Sequence, residues 1–145
     1  CVGKRGAKKA TGGCRTRKCI INRRHKRWSD LIEIHERVAA WAGDDTWLSK
    51  AQNGLLQGSP LAAAWIFKQL NQSQDAGLRE VFESELILGC NIMRHPEFAE
   101  GVRALLVDKD RNPVWTYPDL RSVPDDVVEP FFVAPADMPA LGLPE

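Results

Sequence analysis

A charged triplet, Asp-Lys-Asp at residues 108–110, follows directly on an apolar run that ends at Val107. A lysine at this place could hold an anionic group such as a phosphate, or it could meet the last carbonyl groups of a helix. Asn112-Pro113 behind the triplet is a turn sequence, and Trp115 could anchor the segment that follows. These residues indicate a helix end and turn first, with a contact between Lys109 and an anionic ligand as the alternative.

The histidines and cysteines do not have the spacing of a metal or catalytic site. Cys14, Cys19 and His25 lack both the Cys-x-x-Cys pair and the second histidine of structural zinc sites. His35 falls within a predicted helix, at its surface or at the edge of the core, and His95 precedes a proline and is interpreted as closing a helix. The sequence contains no Gly-rich phosphate loop after a strand and no Gly-x-Ser-x-Gly motif. We therefore assign no catalytic and no metal-ligating residue.

Charge divides the chain near Trp28. Eleven of the 20 basic residues precede it and no acid occurs before Asp30, so the remainder carries 20 − 11 = 9 basic and 19 acidic residues. Residues 1–27 hold few aliphatic side chains, which predicts a flexible basic arm. Such an arm would attract nucleic acid without sequence preference. An alternative function is therefore a small helical interaction protein with a nucleic-acid-binding arm.

Four cysteines, at positions 1, 14, 19 and 90, do not form the framework of a secreted disulfide protein. A reducing compartment is the simpler expectation. No apolar run approaches the roughly 18 residues of a membrane span. The sequence thus predicts a cytoplasmic protein without a membrane partner.

The elements that must position these residues are helices, because apolar residues recur at helical spacing and no stretch alternates with period two. The fold class is predicted as mainly α, with a basic arm over residues 1–27, a helical domain over residues 28–132 and a Pro-rich tail over residues 133–145. Helices are predicted from Ser29 to Gly43, from Asp44 or Asp45 to Gly58, from Ser59-Pro60 to Leu70, from Leu78 to Met93, from Pro96 to the triplet, and over residues 125–132.

Three of these helices carry an apolar face. The faces consist of Ala63, Ile66, Phe67 and Leu70; of Leu78, Val81, Phe82, Leu86 and Gly89; and of Phe98, Val102, Leu105 and Leu106. Tryptophans in the first and third helices should belong to the core. Glu100 and Arg103, three residues apart, should pair on the helix surface, and Gly101 suggests close helix packing.

A family becomes recognisable from four stretches: "SP" at 59–60, "EVFESELIL" at 80–88, "RHPEFAEGVRALLVDKDRNPVW" at 94–115 and "VPDDVVEPFF" at 123–132. In order and spacing, from about Ile20 onward, they resemble the C-terminal portion of the 3-hydroxyisobutyryl-CoA hydrolase branch of the crotonase (enoyl-CoA hydratase/isomerase) superfamily. Enoyl-CoA hydratases proper are less similar, since there the same helix tends to close on Lys-Arg-x-Pro-x-Phe. Residues 1–20 resemble no part of the family that we can place.

The resemblance implies the helical C-terminal region of a crotonase-like fold, with the catalytic α/β core absent from this chain. It implies thioester hydrolysis of a short branched 3-hydroxyacyl-CoA by the intact family, with acyl-CoA as substrate and no tightly bound cofactor. In related crotonases a lysine near this place lies close to the coenzyme A phosphates, so the resemblance marks Lys109 as a candidate contact. The chain is expected to be inactive alone and to self-associate through its helices; a hydratase or isomerase remnant is a further alternative.

Overall fold

The computed structural model describes residues 28–138 and residue 142 of this 145-residue chain. The α-helices of this part are α1 (Trp28–Ala39), α2 (Thr46–Gln57), α3 (Pro60–Gln72), α4 (Leu78–Met93) and α5 (Pro96–Val102). A π-helical segment, Arg103–Val107, continues α5, and 3-10 turns follow at Leu120–Ser122, Asp125–Val127 and Glu129–Phe132. No strand occurs among the described residues. The prediction of a mainly α chain is confirmed.

Helix starts follow local capping chemistry. Asp45 precedes α2, and its carboxylate accepts from the backbone N–H groups of Trp47 at 2.9 Å and Leu48 at 3.1 Å. Ser59 precedes α3, where its hydroxyl accepts from the N–H of Ala62 at 3.0 Å and a proline occupies the first turn. These side chains satisfy N–H groups that have no partner inside the helix. Both predicted starts are confirmed, as are the bounds of α4.

The first helix differs from its predicted bounds. It begins at Trp28, so Ser29 lies inside it rather than at its cap, and it ends at Ala39, before Gly43. Gln52 of α2 explains the early end, because its side-chain amide donates to the carbonyl of Val38 at 3.0 Å and to that of Ala39 at 2.9 Å. A contact from another helix thus satisfies the last carbonyl groups of α1.

The core lies between α1, α3, α4 and the C-terminal 3-10 turns. Trp65 is 3% exposed, and its ring centroid lies 4.6 Å from that of Phe131. Asn91 on α4 ties the turns in place, since its amide donates to the carbonyl of Phe131 at 2.9 Å. The buried cluster comprises Leu31, Leu61, Ala64, Trp65, Leu88, Leu120, Val123, Val128 and Phe131.

The predicted apolar faces are largely exposed in the described part of the chain. On α3, Ile66 is 59% exposed and Leu70 is 64% exposed, whereas Ala64, Trp65 and Gln69 are buried. This helix is apolar on most of its circumference, so spacing alone does not determine which side meets the neighbouring elements. Large side chains on the other two predicted faces are also exposed: Leu78, Phe82, Phe98, Leu105 and Leu106. Of these, Leu105 and Leu106 were expected to be buried.

Candidate functional site

One arginine holds the loop of residues 108–112 that follows the π-helical segment. The Arg103 guanidinium donates to the carboxylates of Asp108 at 2.6 Å and Asp110 at 2.7 Å. It also forms a two-point contact with Glu100, at 2.9 and 2.8 Å, and donates to the carbonyl of Asn112 at 3.2 Å. The predicted pairing of Glu100 with Arg103 is confirmed, while the two aspartate contacts were not foreseen. The 108–112 loop is therefore fastened at several points to the helix that precedes it.

These contacts shift the acid–base properties of the loop. The pKa of Glu100 falls to about 2, first because its carboxylate accepts from Arg103 and second because it accepts from the N–H of Val114. The pKa of Asp110 is lowered by Arg103 and by the N–H of Asn112, and the pKa of Arg103 is raised by its three acidic partners. Both carboxylates are thus charged near neutral pH and committed to Arg103.

Lys109 and Arg111 lie between those acids in an unusual backbone conformation. Their φ angles are 57° and 55°, and they are the non-glycine residues with positive φ in the described part of the chain. Two carbonyls of the π-helical segment are satisfied by backbone groups: the N–H of Asp108 donates to the carbonyl of Arg103 at 2.8 Å, and the N–H of Arg111 donates to the carbonyl of Ala104 at 3.0 Å. The predicted contact of the Lys109 side chain with the helix carbonyls is not found among the described residues.

An apolar groove of about 750 Å³ opens beside this loop. Its walls come from α3, α4, α5 and the π-helical segment, and they include Ile66, Leu88, Ile92, Phe98, Leu105 and Trp115. Arg111 lines the groove, and it is the one cation to do so among the described residues; Lys109 does not. Leu105 is 61% exposed here and Leu106 is 62% exposed. An exposed apolar surface of this kind is typical of a place where a ligand or another part of a protein packs.

Glu97 is the acidic residue that lines the groove in the described part of the chain. It is 3% exposed, and its two carboxylate oxygens accept from the hydroxyl of Ser59 at 2.5 Å and from the N–H of Thr116 at 3.0 Å. His95 accepts from the N–H of Glu97 at 3.2 Å and so begins α5. Its own backbone N–H donates to the carbonyl of Ile92 at 3.0 Å, so this residue also closes α4, as predicted. Both oxygens of Glu97 have partners, so this carboxylate links α5 to the start of α3 and to the segment that contains Thr116. Nothing in the sequence marked it for this position.

Trp115 anchors the chain after the loop, as predicted. Its indole N–H donates to the carbonyl of Gln57 at 3.1 Å. A Cβ atom placed on Gly101 would lie 3.4 Å from the Trp115 ring. This distance is ordinary contact, and the neighbour is a tryptophan in a loop, so the predicted close packing of Gly101 against another helix is not found in the part of the chain that the structure describes.

Other sequence-predicted features fall elsewhere. His35 is half-buried on α1, in keeping with its predicted place at the edge of the core. Cys14, Cys19 and His25 lie with the basic arm outside the described residues. Among residues 28–138 and 142, no three acidic, cysteine or histidine side chains are grouped as a metal site would require. Nor does this part of the chain contain a helix long and apolar enough to cross a membrane.

Comparison with known proteins identifies the family. A family model for enoyl-CoA hydratase/isomerase matches residues 4–132. The chain belongs to this family. The match begins well before Ile20, so the prediction that residues 1–20 are foreign to the family is corrected; short motifs carried the resemblance, and none falls in that stretch.

Several curated members of the enoyl-CoA hydratase/isomerase family are similar to this chain. The 3-hydroxyisobutyryl-CoA hydrolase 1 of Arabidopsis thaliana is 31% identical over 106 residues, which cover 71% of this chain and 28% of the relative. The mitochondrial 3-hydroxyisobutyryl-CoA hydrolase of Dictyostelium discoideum is 33% identical over 105 residues, covering 72% and 27%. The mitochondrial enzyme of Gallus gallus is 38% identical over 74 residues, covering 51% and 19%. The chain thus spans between a fifth and just over a quarter of these relatives' length.

Proposed function

We propose that this chain is the C-terminal helical portion of a coenzyme A thioester hydrolase of the 3-hydroxyisobutyryl-CoA type. The observation that carries the proposal is its similarity to relatives with that name, at 31% and 33% identity over most of the chain. The reaction would be attack of water on the thioester carbonyl, releasing the branched 3-hydroxy acid and free coenzyme A. Acyl-CoA is then a substrate and not a permanently bound group.

The groove and the 108–112 loop would supply binding rather than catalysis. An apolar groove beside exposed cations suits a molecule with an apolar arm and a phosphorylated nucleotide end. Lys109 is exposed, and its ammonium has no hydrogen-bond or ion-pair partner in the described part of the chain. We assign Lys109 to the coenzyme A phosphates, and the groove to covering the acyl-CoA site of the intact protein.

The isolated chain should not hydrolyse thioesters. Acyl transfer needs paired N–H donors for the oxyanion and a carboxylate that is free to act on water. The buried acid at the groove, Glu97, has both oxygens engaged by Ser59 and Thr116. Purified chain should therefore give no turnover of 3-hydroxyisobutyryl-CoA. Steady turnover that a point substitution within the chain abolishes would contradict this.

A chimera tests the assignment directly. The matching segment of the Arabidopsis hydrolase is replaced by residues 28–132 of this chain, and hydrolysis of 3-hydroxyisobutyryl-CoA is measured. We expect an active chimera in which Lys109→Gln raises KM several-fold with little change in kcat, because the lysine contributes binding away from the reacting carbonyl. Lys50→Gln, an exposed cation on α2, serves as the matched control. A chimera whose KM is the same with either substitution would refute the role of Lys109.

The location and the other partners stay predictions. The cytoplasmic location rests on cysteine usage alone, and the names of the Dictyostelium and chicken relatives place those two proteins in mitochondria. Nucleic-acid binding by the basic arm concerns residues 1–27, which lie outside the described part of the chain.

A further inference from the structure

We propose that Arg111 is a second phosphate-contacting residue, which binds the anionic end of a ligand whose apolar part lies in the groove. The inference rests on the proposed function, because an acyl-CoA has phosphates at one end and an acyl-pantetheine arm at the other. No motif in the sequence marks Arg111, and the part of the ligand that it would contact is the phosphate end.

Position is the first argument. Arg111 lines the groove together with Leu105, Leu106 and Trp115, whereas Lys109 lies on the same loop but outside the lining. A ligand that fills the groove would have Arg111 as the one cation of the described residues lining it. The guanidinium group is planar and can donate two parallel N–H bonds to a phosphate, which makes it better suited to this contact than an ammonium.

Availability of charge is the second argument. The three acids that most closely precede Arg111 in sequence, Glu100, Asp108 and Asp110, all bind Arg103. Arg111 is exposed, and its guanidinium has no hydrogen-bond or ion-pair partner among the described residues. One arginine therefore neutralises the acids of this region, and a second arginine keeps its donors available at the edge of an apolar surface.

Backbone conformation is the third argument. Arg111 has a φ of 55°, in the left-handed region that glycine occupies at no steric cost. A loop selected only to end the helix would gain from glycine at this position.

Arg111 has a competing structural role, because a cation near helix carbonyls can stabilise the helix end. This role predicts that loss of Arg111 lowers stability and leaves ligand affinity unchanged.

The experiment measures binding of coenzyme A and of pantetheine, which lacks the phosphates, to the full chain by calorimetry at roughly physiological salt. Arg111→Gln, Arg111→Lys and Arg111→Gly are compared with Lys109→Gln and with the control Lys50→Gln. We expect Arg111→Gln to weaken coenzyme A binding about tenfold, as loss of a charge-assisted hydrogen bond does, and to leave pantetheine binding unchanged. Arg111→Lys should recover part of the affinity, and Lys50→Gln should match the unsubstituted chain.

The glycine variant separates binding from folding, because it relieves the backbone strain while removing the cation. An unchanged melting temperature with about tenfold weaker coenzyme A binding supports the inference. Unchanged coenzyme A affinity in Arg111→Gln and Arg111→Gly overturns it. If Lys109→Gln alone weakens binding, the proposed function stands without Arg111; if the unsubstituted chain binds no coenzyme A, both fail.

Discussion

The contacts of Arg103 make the stability of the fold depend on pH. The pKa of Glu100 is about 2 in the folded chain, against an ordinary value of 4.5, because its carboxylate accepts from Arg103 and Val114. A carboxylate whose pKa is lower in the folded state contributes stability above its unfolded pKa, and that contribution disappears as the pH falls toward the folded value. We therefore expect the free energy of unfolding to decrease between about pH 4.5 and pH 2. Asp110, whose pKa is also lowered, adds to the same trend.

Urea denaturation at about pH 7, 4 and 3 measures this dependence. Glu100→Gln should flatten the profile, since it removes the titrating group and keeps the side-chain shape. Glu33→Gln is the matched control, because Glu33 pairs with Arg37 at the longer distance of 3.6 Å on the surface of α1. Equal acid sensitivity in Glu100→Gln and in the control would contradict the prediction.

Glu97 gives a prediction for the neutral range. Glu97→Ala leaves the Ser59 hydroxyl and the Thr116 N–H without their acceptor in a buried place, so we expect a loss of about 1–3 kcal/mol in the free energy of unfolding. Glu97→Gln should lose less, since one amide oxygen can still accept and the amide nitrogen can donate to Ser59. Glu83→Ala, on the exposed side of α4, controls for the loss of a carboxylate. Similar denaturation midpoints for all three variants would count against this role.

The contact of Gly101 with Trp115 gives a prediction about packing on α5. A Cβ atom would sit 3.4 Å from the ring, which is ordinary contact, and alanine favours a helix by about 1 kcal/mol over glycine. We expect Gly101→Ala to keep or slightly raise the melting temperature. Gly101→Leu has no room beside the ring, should displace Trp115 from the carbonyl of Gln57, and should lower the melting temperature. Thermal unfolding followed by circular dichroism distinguishes the two, and equal melting temperatures would refute the packing argument.

At the scale of elements, the starts of α2 and α3 were predictable, whereas the burial of the helix faces was not. Asp45 and Ser59 mark helix starts by chemistry that acts within three residues, so the sequence alone reveals it. The burial of Trp65 and the exposure of Ile66 depend on where α4 and the C-terminal turns lie, and no local pattern contains that information. The end of α1 was misplaced for a similar reason, since Gln52 of another helix caps it.

In the candidate site, too, contacts set by local spacing were predictable and contacts set by distant segments were not. The Glu100–Arg103 pair was predicted because a spacing of three brings side chains together on any α-helix. The bonds from Arg103 to Asp108 and Asp110 depend on the π-helical segment, which changes the register that an α-helix would give. Sequence marked Lys109 through the family motif and passed over Arg111, whose place at the groove follows from the path of the whole loop.

For the whole molecule, the exposed side chains of the groove predict self-association. Ile66 is 59% exposed and Leu105 is 61% exposed, and both line the groove. We expect sedimentation velocity to show concentration-dependent association of the chain, and Leu105→Glu to shift it toward monomer because a charge cannot be buried cheaply in such a contact. Leu78→Glu is the control, since Leu78 is 74% exposed outside the groove. A compact monomer over a wide concentration range would contradict the prediction.

The number of residues in the π-helical segment Arg103–Val107 should affect ligand binding, in addition to the chemistry of the side chains. A π turn holds one residue more than an α turn of the same span, so deletion of a single residue there would let α-helical bonding continue. Every residue beyond the deletion would then rotate by roughly 100° about the helix axis and retreat by about 1.5 Å. Arg111 would leave the edge of the groove, and Lys109 would move with it, although both side chains stay intact. A one-residue insertion or deletion in this segment should therefore alter ligand affinity more than a conservative substitution of either cation.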